Sequence, residues 1–183
     1  MDESRATPPA PGALDPAVAS RARAVRLLSC DVDGVLTDGR IYVDDAGRET
    51  KAFHALDGIG FKRLEAAGIA VAWITGSASA SVAHRARALG IAHLVRGTDD
   101  KLPAWERLRA SLGLPSSACA HVGDDLPDVP ILRACGLAVS VPHAPDVVKR
   151  HAHYVTRREG GRGAAREVCE LILAALGRTE IGD

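Results

Sequence analysis

Residues 27–37 read LLSCDVDGVLT, and this stretch decides the fold prediction. Its apolar run predicts a buried strand, and the strand ends in two aspartates one residue apart, Asp31 and Asp33. Buried carboxylates are costly unless they are paired or bind a metal. A strand with two carboxylates at its end therefore indicates a functional site beyond that end.

Length and composition limit the function classes. The chain has 183 residues, which suggests one domain. A formal net charge of zero and 3% aromatic residues argue against a nucleic-acid binder. No apolar run approaches the roughly 18 residues that span a bilayer, and no secretory signal pattern opens the chain. We expect a cytoplasmic protein without nucleic-acid or membrane partners.

Apolar runs alternate with helical patterns along the rest of the chain. Asp15-Pro16 predicts one helix start, Asp57 is the predicted N-cap of a second helix, and residues 41–53 predict a hairpin. Further strands are predicted within 69–75, 91–95, 117–125, 136–141 and 153–156, and further helices within 79–89, 101–112, 126–135, 144–150 and 163–176. This alternation predicts an α/β fold, a Rossmann-like three-layer sandwich with a central parallel sheet.

We expect three segments along the chain. Residues 1–14 are rich in Pro, Ala and small polar residues, which predicts a disordered N-terminal extension. Residues 15–176 form the predicted single domain, and residues 177–183 form a C-terminal tail.

Three of the predicted strands end in polar residues, Asp31-x-Asp33, Thr75-Gly76 and Gly123-Asp124-Asp125. In open parallel sheets the binding site lies beyond these carboxyl ends. Converging carboxylates favour a hard divalent cation such as Mg²⁺. A hydroxyl, backbone N–H groups and Lys101 at a helix start suit a phosphoryl group, which an aspartate can attack. Each motif alone is common in turns, so the prediction depends on their joint order.

This set of motifs resembles the haloacid-dehalogenase-like phosphohydrolases, on DVDGVLTDGRIY, VAWITG and GDDLPD. KAFHALDGIG and the tail HYVTRREGGRGAAREVCELIL narrow the resemblance to the 3-deoxy-D-manno-octulosonate 8-phosphate phosphatase branch, over residues 25 to about 176. The resemblance implies Mg²⁺-dependent hydrolysis of that sugar acid phosphate through an aspartyl-phosphate, for lipopolysaccharide synthesis. It also implies no cap domain and a homotetramer whose neighbouring subunits close each site.

The resemblance assigns roles to residues of the strand ends. Asp31 is the expected nucleophile, and Asp33 is the expected general acid and base. Mg²⁺ is expected on the Asp31 carboxylate, the Asp33 backbone carbonyl and Asp124, with Asp125 and Asp128 as weaker candidates.

Further roles concern the phosphate and the sugar. Thr75 and Gly76 are expected to bind phosphate, and Lys101 is expected to hold the nucleophile and the phosphate together. Gly34 and Arg85 are further expected substrate-binding residues.

Other implications concern subunit contacts. The hairpin, taken as residues 39–53, is expected to build an intersubunit barrel. The arginines of the HYVTRREGGRGAAREVCELIL segment, here called the arginine-rich tail, either reach an active site or form a basic loop at the last helix. They are Arg157, Arg158, Arg162 and Arg166.

One position departs from the family pattern. Ser77 stands where the family has an arginine that binds the anionic substrate. This leaves open a nine-carbon 2-keto-3-deoxy sugar acid phosphate, or another sugar phosphate, as the substrate. A non-catalytic oligomeric scaffold is the alternative from another class, and a phosphomutase is disfavoured because no cap is evident.

Overall fold

A six-stranded parallel sheet forms the centre of the structure, a computed structural model that describes residues 14–178. The strands in chain order are β1 (Leu27–Cys30), β2 (Tyr42–Val43), β3 (Glu49–Thr50), β4 (Ala70–Thr75), β5 (His93–Arg96), β6 (Cys119–Val122), β7 (Leu137–Ser140) and β8 (Tyr154–Val155). The sheet order is β5-β4-β1-β6-β7-β8, and β2 and β3 form a separate antiparallel hairpin. The predicted α/β fold with a parallel sheet and a small hairpin is confirmed.

Seven α-helices surround the sheet within the described residues. They are α1 (Pro16–Ala24), α2 (Ala55–Ala66), α3 (Ala80–Leu89), α4 (Lys101–Ser111), α5 (Val129–Ala134), α6 (Asp146–Lys149) and α7 (Ala164–Ala175). Helix α7 packs against α1 and α2, whereas α4 packs against α5. Every residue of β1, β6 and β7 is buried, as expected for a parallel sheet covered on both faces.

Local signals place the first helix correctly and the second only in part. The Asp15 side chain accepts a hydrogen bond from the Ala17 N–H at 2.7 Å, and Pro16 is the first residue of α1. The prediction that Asp57 caps α2 is wrong, because His54 occupies the N-cap. Asp57 lies inside the first turn, where its Oδ1 accepts the Arg166 N–H of α7 at 2.7 Å. A partner distant in sequence thus determines the position of this carboxylate.

The hairpin is shorter than predicted. Its strands have two residues each, and all four of these residues are exposed. Asp44 Oδ1 accepts the N–H groups of Ala46 and Arg48 in the turn, which Gly47 completes with a φ of +74°. Strand pairing stops early because an isolated hairpin without a packed face is marginal in water.

Two predicted segments lie mostly outside the residues that the structure describes. Residues 1–13 of the N-terminal extension and residues 179–183 of the tail are outside the described part of the chain. Between residues 14 and 178, no helix is both long and apolar enough to cross a membrane.

Candidate active site

Most of the polar residues that were predicted for the site lie together beyond the carboxyl ends of three adjacent strands. Strand β1 lies between β4 and β6, so the loops that follow these strands meet at one edge of the sheet. They form a cleft of about 280 Å³. The cleft is lined by Asp31, Asp33, Thr75, Gly76, Ser77, Asp99, Lys101, Asp124, Asp125, Pro127 and Asp128.

A buried lysine joins two of the carboxylates. Lys101 Nζ lies 2.5 Å from Asp31 Oδ1 and 2.7 Å from Asp128 Oδ1. The side chains of all three residues are at most 6% exposed. Burial by itself lowers the pKa of Lys101, but the two carboxylates outweigh it and hold the pKa above its usual value. The ammonium group therefore stays charged in the interior.

The carboxylates of the cleft carry more negative charge than the positive charge near them can balance. Oxygen atoms of Asp31, Asp124 and Asp128 lie within 4.8 Å of one another. Burial, with repulsion from Asp128, raises the pKa of Asp31 to about 7 against the attraction of Lys101. Burial, with repulsion from Asp31 and Asp128, raises the pKa of Asp124 to about 8. An all-oxygen donor set with unrelieved negative charge fits a hard divalent cation such as Mg²⁺.

Asp128 differs from the other two carboxylates because protein donors occupy both of its oxygens. Oδ1 accepts a hydrogen bond from Lys101 Nζ and lies 3.2 Å from His121 Nε2. Oδ2 accepts the N–H of Asp124 at 3.2 Å. Burial raises the pKa of Asp128, but His121 and Lys101 outweigh it and lower the pKa to about 2. Asp128 therefore orients the Asp124 loop, which leaves Asp31 and Asp124 as the more available ligands.

A buried polar chain continues behind Asp128 into the sheet. His121 Nδ1 lies 2.9 Å from the Ser29 hydroxyl, and both residues are fully buried within strands β6 and β1. A carboxylate only accepts, so the His121 proton lies on Nε2, and the one hydrogen of the Ser29 hydroxyl is shared between His121 Nδ1 and the Ala120 carbonyl oxygen at 3.0 Å. Neither residue was predicted from the sequence, although each is a polar residue inside an otherwise apolar strand.

Asp33 lies closer to solvent than Asp31, with a side chain that is 36% exposed. Its Oδ1 contacts Lys51 Nζ, and its Oδ2 lies 3.5 Å from Thr75 Oγ1, at the outer limit of a hydrogen bond. Lys51 was not predicted from the sequence either. The available signal was a lysine at the start of the KAFHALDGIG segment, inside the predicted hairpin.

The end of β4 forms the wall of the cleft next to Asp33. Thr75 Oγ1 accepts the Ser77 N–H at 3.0 Å, and Ser77 Oγ accepts the Ser79 N–H at 3.2 Å, where α3 begins. A Cβ at Gly76 would lie 2.6 Å from Asp99 Oδ1, so a side chain there would require the exposed Asp99 carboxylate to move. Asp99 was missed too, although it follows a strand and precedes Lys101 by two residues.

Two predicted substrate-binding residues lie outside the lining of the cleft. Gly34 has a φ of +102°, and a side chain there would overlap the Asp124 carboxylate, so its contribution is steric. Arg85 lines a separate small pocket with Asp57 and Trp73. A direct role for either residue in substrate binding stays a prediction.

The arginine-rich tail folds back onto α7. Glu167 accepts the backbone N–H groups of Arg157 and Arg158, each at 2.9 Å. Arg166 Nε binds Glu170 at 2.7 Å on the same helix. A Cβ at Gly160 would overlap the Gly34 carbonyl, so the tail loop lies against the loop that follows β1. The prediction that these arginines reach an active site concerns neighbouring subunits and stays a prediction.

Comparison with known proteins identifies the family. Residues 84–167 match the haloacid dehalogenase-like hydrolase family. The 3-deoxy-D-manno-octulosonate 8-phosphate phosphatase of Yersinia pestis is 48% identical over 89% of this chain and 87% of its own length. The 1.95 Å crystal structure of the phosphatase from that organism superposes with a TM-score of 0.88 at 47% identity, covering 90% of this chain and 89% of the other.

A second solved relative contains ligands. It is the phosphatase of the same name from Moraxella catarrhalis, in complex with a magnesium ion, a phosphate ion and a KDO molecule. It superposes with a TM-score of 0.87 at 45% identity, covering 88% of this chain and 93% of the other. On these similarities, which span nearly the whole chain, the protein belongs to the 3-deoxy-D-manno-octulosonate 8-phosphate phosphatase family of haloacid dehalogenase-like hydrolases.

Proposed function

We propose that this protein is a Mg²⁺-dependent phosphatase that converts 3-deoxy-D-manno-octulosonate 8-phosphate into 3-deoxy-D-manno-octulosonate and phosphate, a step towards lipopolysaccharide. The observation that carries the proposal is the buried Asp31–Lys101 pair beside Asp33 and Asp124, at the floor of one cleft. The names of similar proteins, found by sequence and by structure, support the same substrate.

The first half of the reaction forms a bond between Asp31 and phosphorus. Lys101 holds the Asp31 carboxylate in place through Oδ1 and offers positive charge to the phosphoryl oxygens. Thr75 and the backbone N–H groups around Gly76 bind the same oxygens. Asp33 donates its proton to the leaving sugar oxygen as the phosphorus–oxygen bond breaks.

The second half of the reaction returns Asp31 to its starting state. Asp33, now a carboxylate, takes a proton from a water that attacks the phosphorus of the aspartyl-phosphate, and inorganic phosphate leaves. The Asp31 and Asp124 carboxylates, with the Asp33 backbone carbonyl, are the proposed Mg²⁺ ligands. When bound, the ion neutralises charge on the carboxylates and the phosphoryl group.

We also propose that residues 15–176 act as a single capless domain within a homotetramer. The hairpin exposes apolar side chains, with Ile41 75% exposed and Val43 61% exposed, as an intersubunit surface does. The Val43→Asp variant is expected to lower the molar mass in light scattering, whereas Asp45→Asn in the hairpin turn leaves it unchanged. A monomeric wild type would contradict this assembly.

We infer that the protein acts in the cytoplasm. The four cysteines are free and buried, as is usual in a reducing compartment.

Ser77 supports a second candidate substrate class. It lines the cleft with a short neutral side chain, at the position where the family has an arginine. Loss of a bidentate partner for an anionic sugar is a large change. A nine-carbon 2-keto-3-deoxy sugar acid phosphate is therefore the alternative substrate.

Phosphate release separates the two substrates. The eight-carbon and nine-carbon sugar acid phosphates are each assayed with Mg²⁺ and with EDTA, using Asp31→Asn as the control. We expect rapid Mg²⁺-dependent release from the eight-carbon substrate, and a loss of at least about 10⁴-fold in the variant. Preference for the nine-carbon substrate would select the alternative, and no release from any phosphate ester would leave the non-catalytic scaffold.

A further inference from the structure

Lys51 is almost completely enclosed although its two partners are not. Its side chain is 5% exposed, and its Nζ contacts Asp33 Oδ1 and lies 2.6 Å from Glu49 Oε1. The Asp33 and Glu49 side chains are 36% and 35% exposed. A lysine at the surface normally extends its ammonium into water. Here the side chain points from the base of the hairpin towards the cleft.

The contacts of Asp33 come from opposite sides. Lys51 reaches Oδ1 from the hairpin, and Thr75 approaches Oδ2 from the end of β4. Lys101 cannot take over the role of Lys51, because its Nζ already binds Asp31 and Asp128. Each aspartate of the DxD motif thus has its own lysine.

From this geometry we propose that Lys51 is a positioning residue for the proton-transfer reaction of Asp33. The inference rests on the proposed function and extends it to a residue outside the strand-end motifs. Lys51 fixes the direction in which the Asp33 carboxyl faces the leaving oxygen, and Glu49 holds the ammonium in place. A rotated Asp33 carboxyl would still occupy the cleft but would miss the proton acceptor.

The test compares two esters that differ in their need for a proton. An alkyl ester, the eight-carbon sugar acid phosphate, must have its leaving oxygen protonated. The aryl ester 4-nitrophenyl phosphate releases a stable anion without a proton. The ratio kcat/KM covers the steps up to formation of the aspartyl-phosphate, so it isolates this difference.

Lys51→Met is expected to lower kcat/KM about 100-fold for the alkyl ester and less than about 5-fold for the aryl ester, since general acid catalysis contributes this much. The same substitution at the exposed Lys62 of α2 is the matched control and leaves both ratios unchanged. Equal losses on the two esters, or no loss on either, would overturn the proposal.

A double-mutant cycle tests whether Lys51 acts through Asp33. In an Asp33→Asn background, Lys51→Met is expected to change kcat/KM for the alkyl ester less than about 2-fold, because coupled residues are not additive. A full 100-fold further loss would show that Lys51 acts elsewhere. If the wild type hydrolyses neither ester, the proposed function fails instead, so the two failures are distinguishable.

Discussion

Lys101 and Lys51 each bind one aspartate of the DxD motif, but in different surroundings. In the Lys101–Asp31 pair both side chains are 6% exposed, and the sheet edge and helix α4 enclose them. In the Lys51–Asp33 pair the lysine is 5% exposed and the aspartate 36%. One pair belongs to the buried core of the fold, and the other is completed from an exposed hairpin.

This difference separates stability from reactivity. Removing one member of a buried pair leaves an uncompensated charge in the interior, whereas a carboxylate near water is hydrated when its partner is lost. The same chemical change at the two lysines is therefore expected to have unequal effects on folding.

The largest expected effect is that of Lys101→Met. It leaves the buried Asp31 and Asp128 without their shared ammonium, and we expect the free energy of unfolding to fall by about 3–5 kcal/mol. Lys51→Met is the matched comparison, with an expected loss below about 1 kcal/mol. Urea unfolding of both variants without Mg²⁺ measures the two values. Equal losses would show that the two surroundings do not differ energetically.

A buried carboxylate without a lysine extends the comparison. Asp57 is 4% exposed, and its Oδ2 has no hydrogen-bond partner among the described residues. Burial raises the pKa of Asp57 from 3.8 to about 6. The hydrogen bond from the Arg166 N–H and the charges of His54, Arg158 and Arg166 lower this pKa, but burial outweighs them. The folded protein therefore binds this proton more tightly than the unfolded chain, and the contribution of Asp57 to stability falls as the pH rises from about 4 to about 6.

Asp57→Asn removes this titration. Relative to wild type, its free energy of unfolding is expected to increase by up to about 3 kcal/mol between pH 4 and pH 7. Other carboxyl groups titrate in both proteins and cancel in the difference. The control is Asp45→Asn at an exposed turn position, which leaves Asp57 in place. A constant difference between Asp57→Asn and wild type across this range would contradict the prediction.

The smallest expected effect tests the support behind Lys101. Ser29→Ala removes the hydroxyl that lies 2.9 Å from His121 Nδ1, leaving a buried acceptor unpaired. We expect a loss of about 1–2 kcal/mol in the free energy of unfolding. Ser111→Ala, at an exposed position of α4, is the control, and thermal unfolding measures both. A loss no larger than that of the control would show that the Ser29–His121 contact contributes little.

Much of the fold was predictable from local patterns. Apolar runs bounded by turn residues indicated the parallel strands, and Asp15-Pro16 indicated the start of α1, because these signals act over a few residues. Asp57 shows the limit of such signals. A capping residue was expected, but a backbone N–H of α7 more than a hundred residues away binds this carboxylate.

The candidate site divides in the same way. The motifs at three strand ends indicated Asp31, Asp33, Thr75, Lys101 and Asp124, because parallel topology brings such ends to one edge of the sheet. Asp99, His121 and Ser29 carried weak signals, since a single polar residue near a strand is common. No signal in the sequence linked Lys51 to Asp33, because the hairpin separates the two residues along the chain.

The sequence by itself determined the pattern of apolar strands with polar ends, the family and the chemistry of the cleft, since these depend on residue type and spacing. Only the tertiary structure decided that Asp33 also has a lysine and that Asp128 also accepts a backbone N–H group. Those outcomes depend on distances of a few ångströms between segments far apart in the chain. Burial raises the pKa of Asp31 to about 7 and that of Asp124 to about 8, whereas His121 and Lys101 outweigh burial at Asp128 and lower its pKa to about 2.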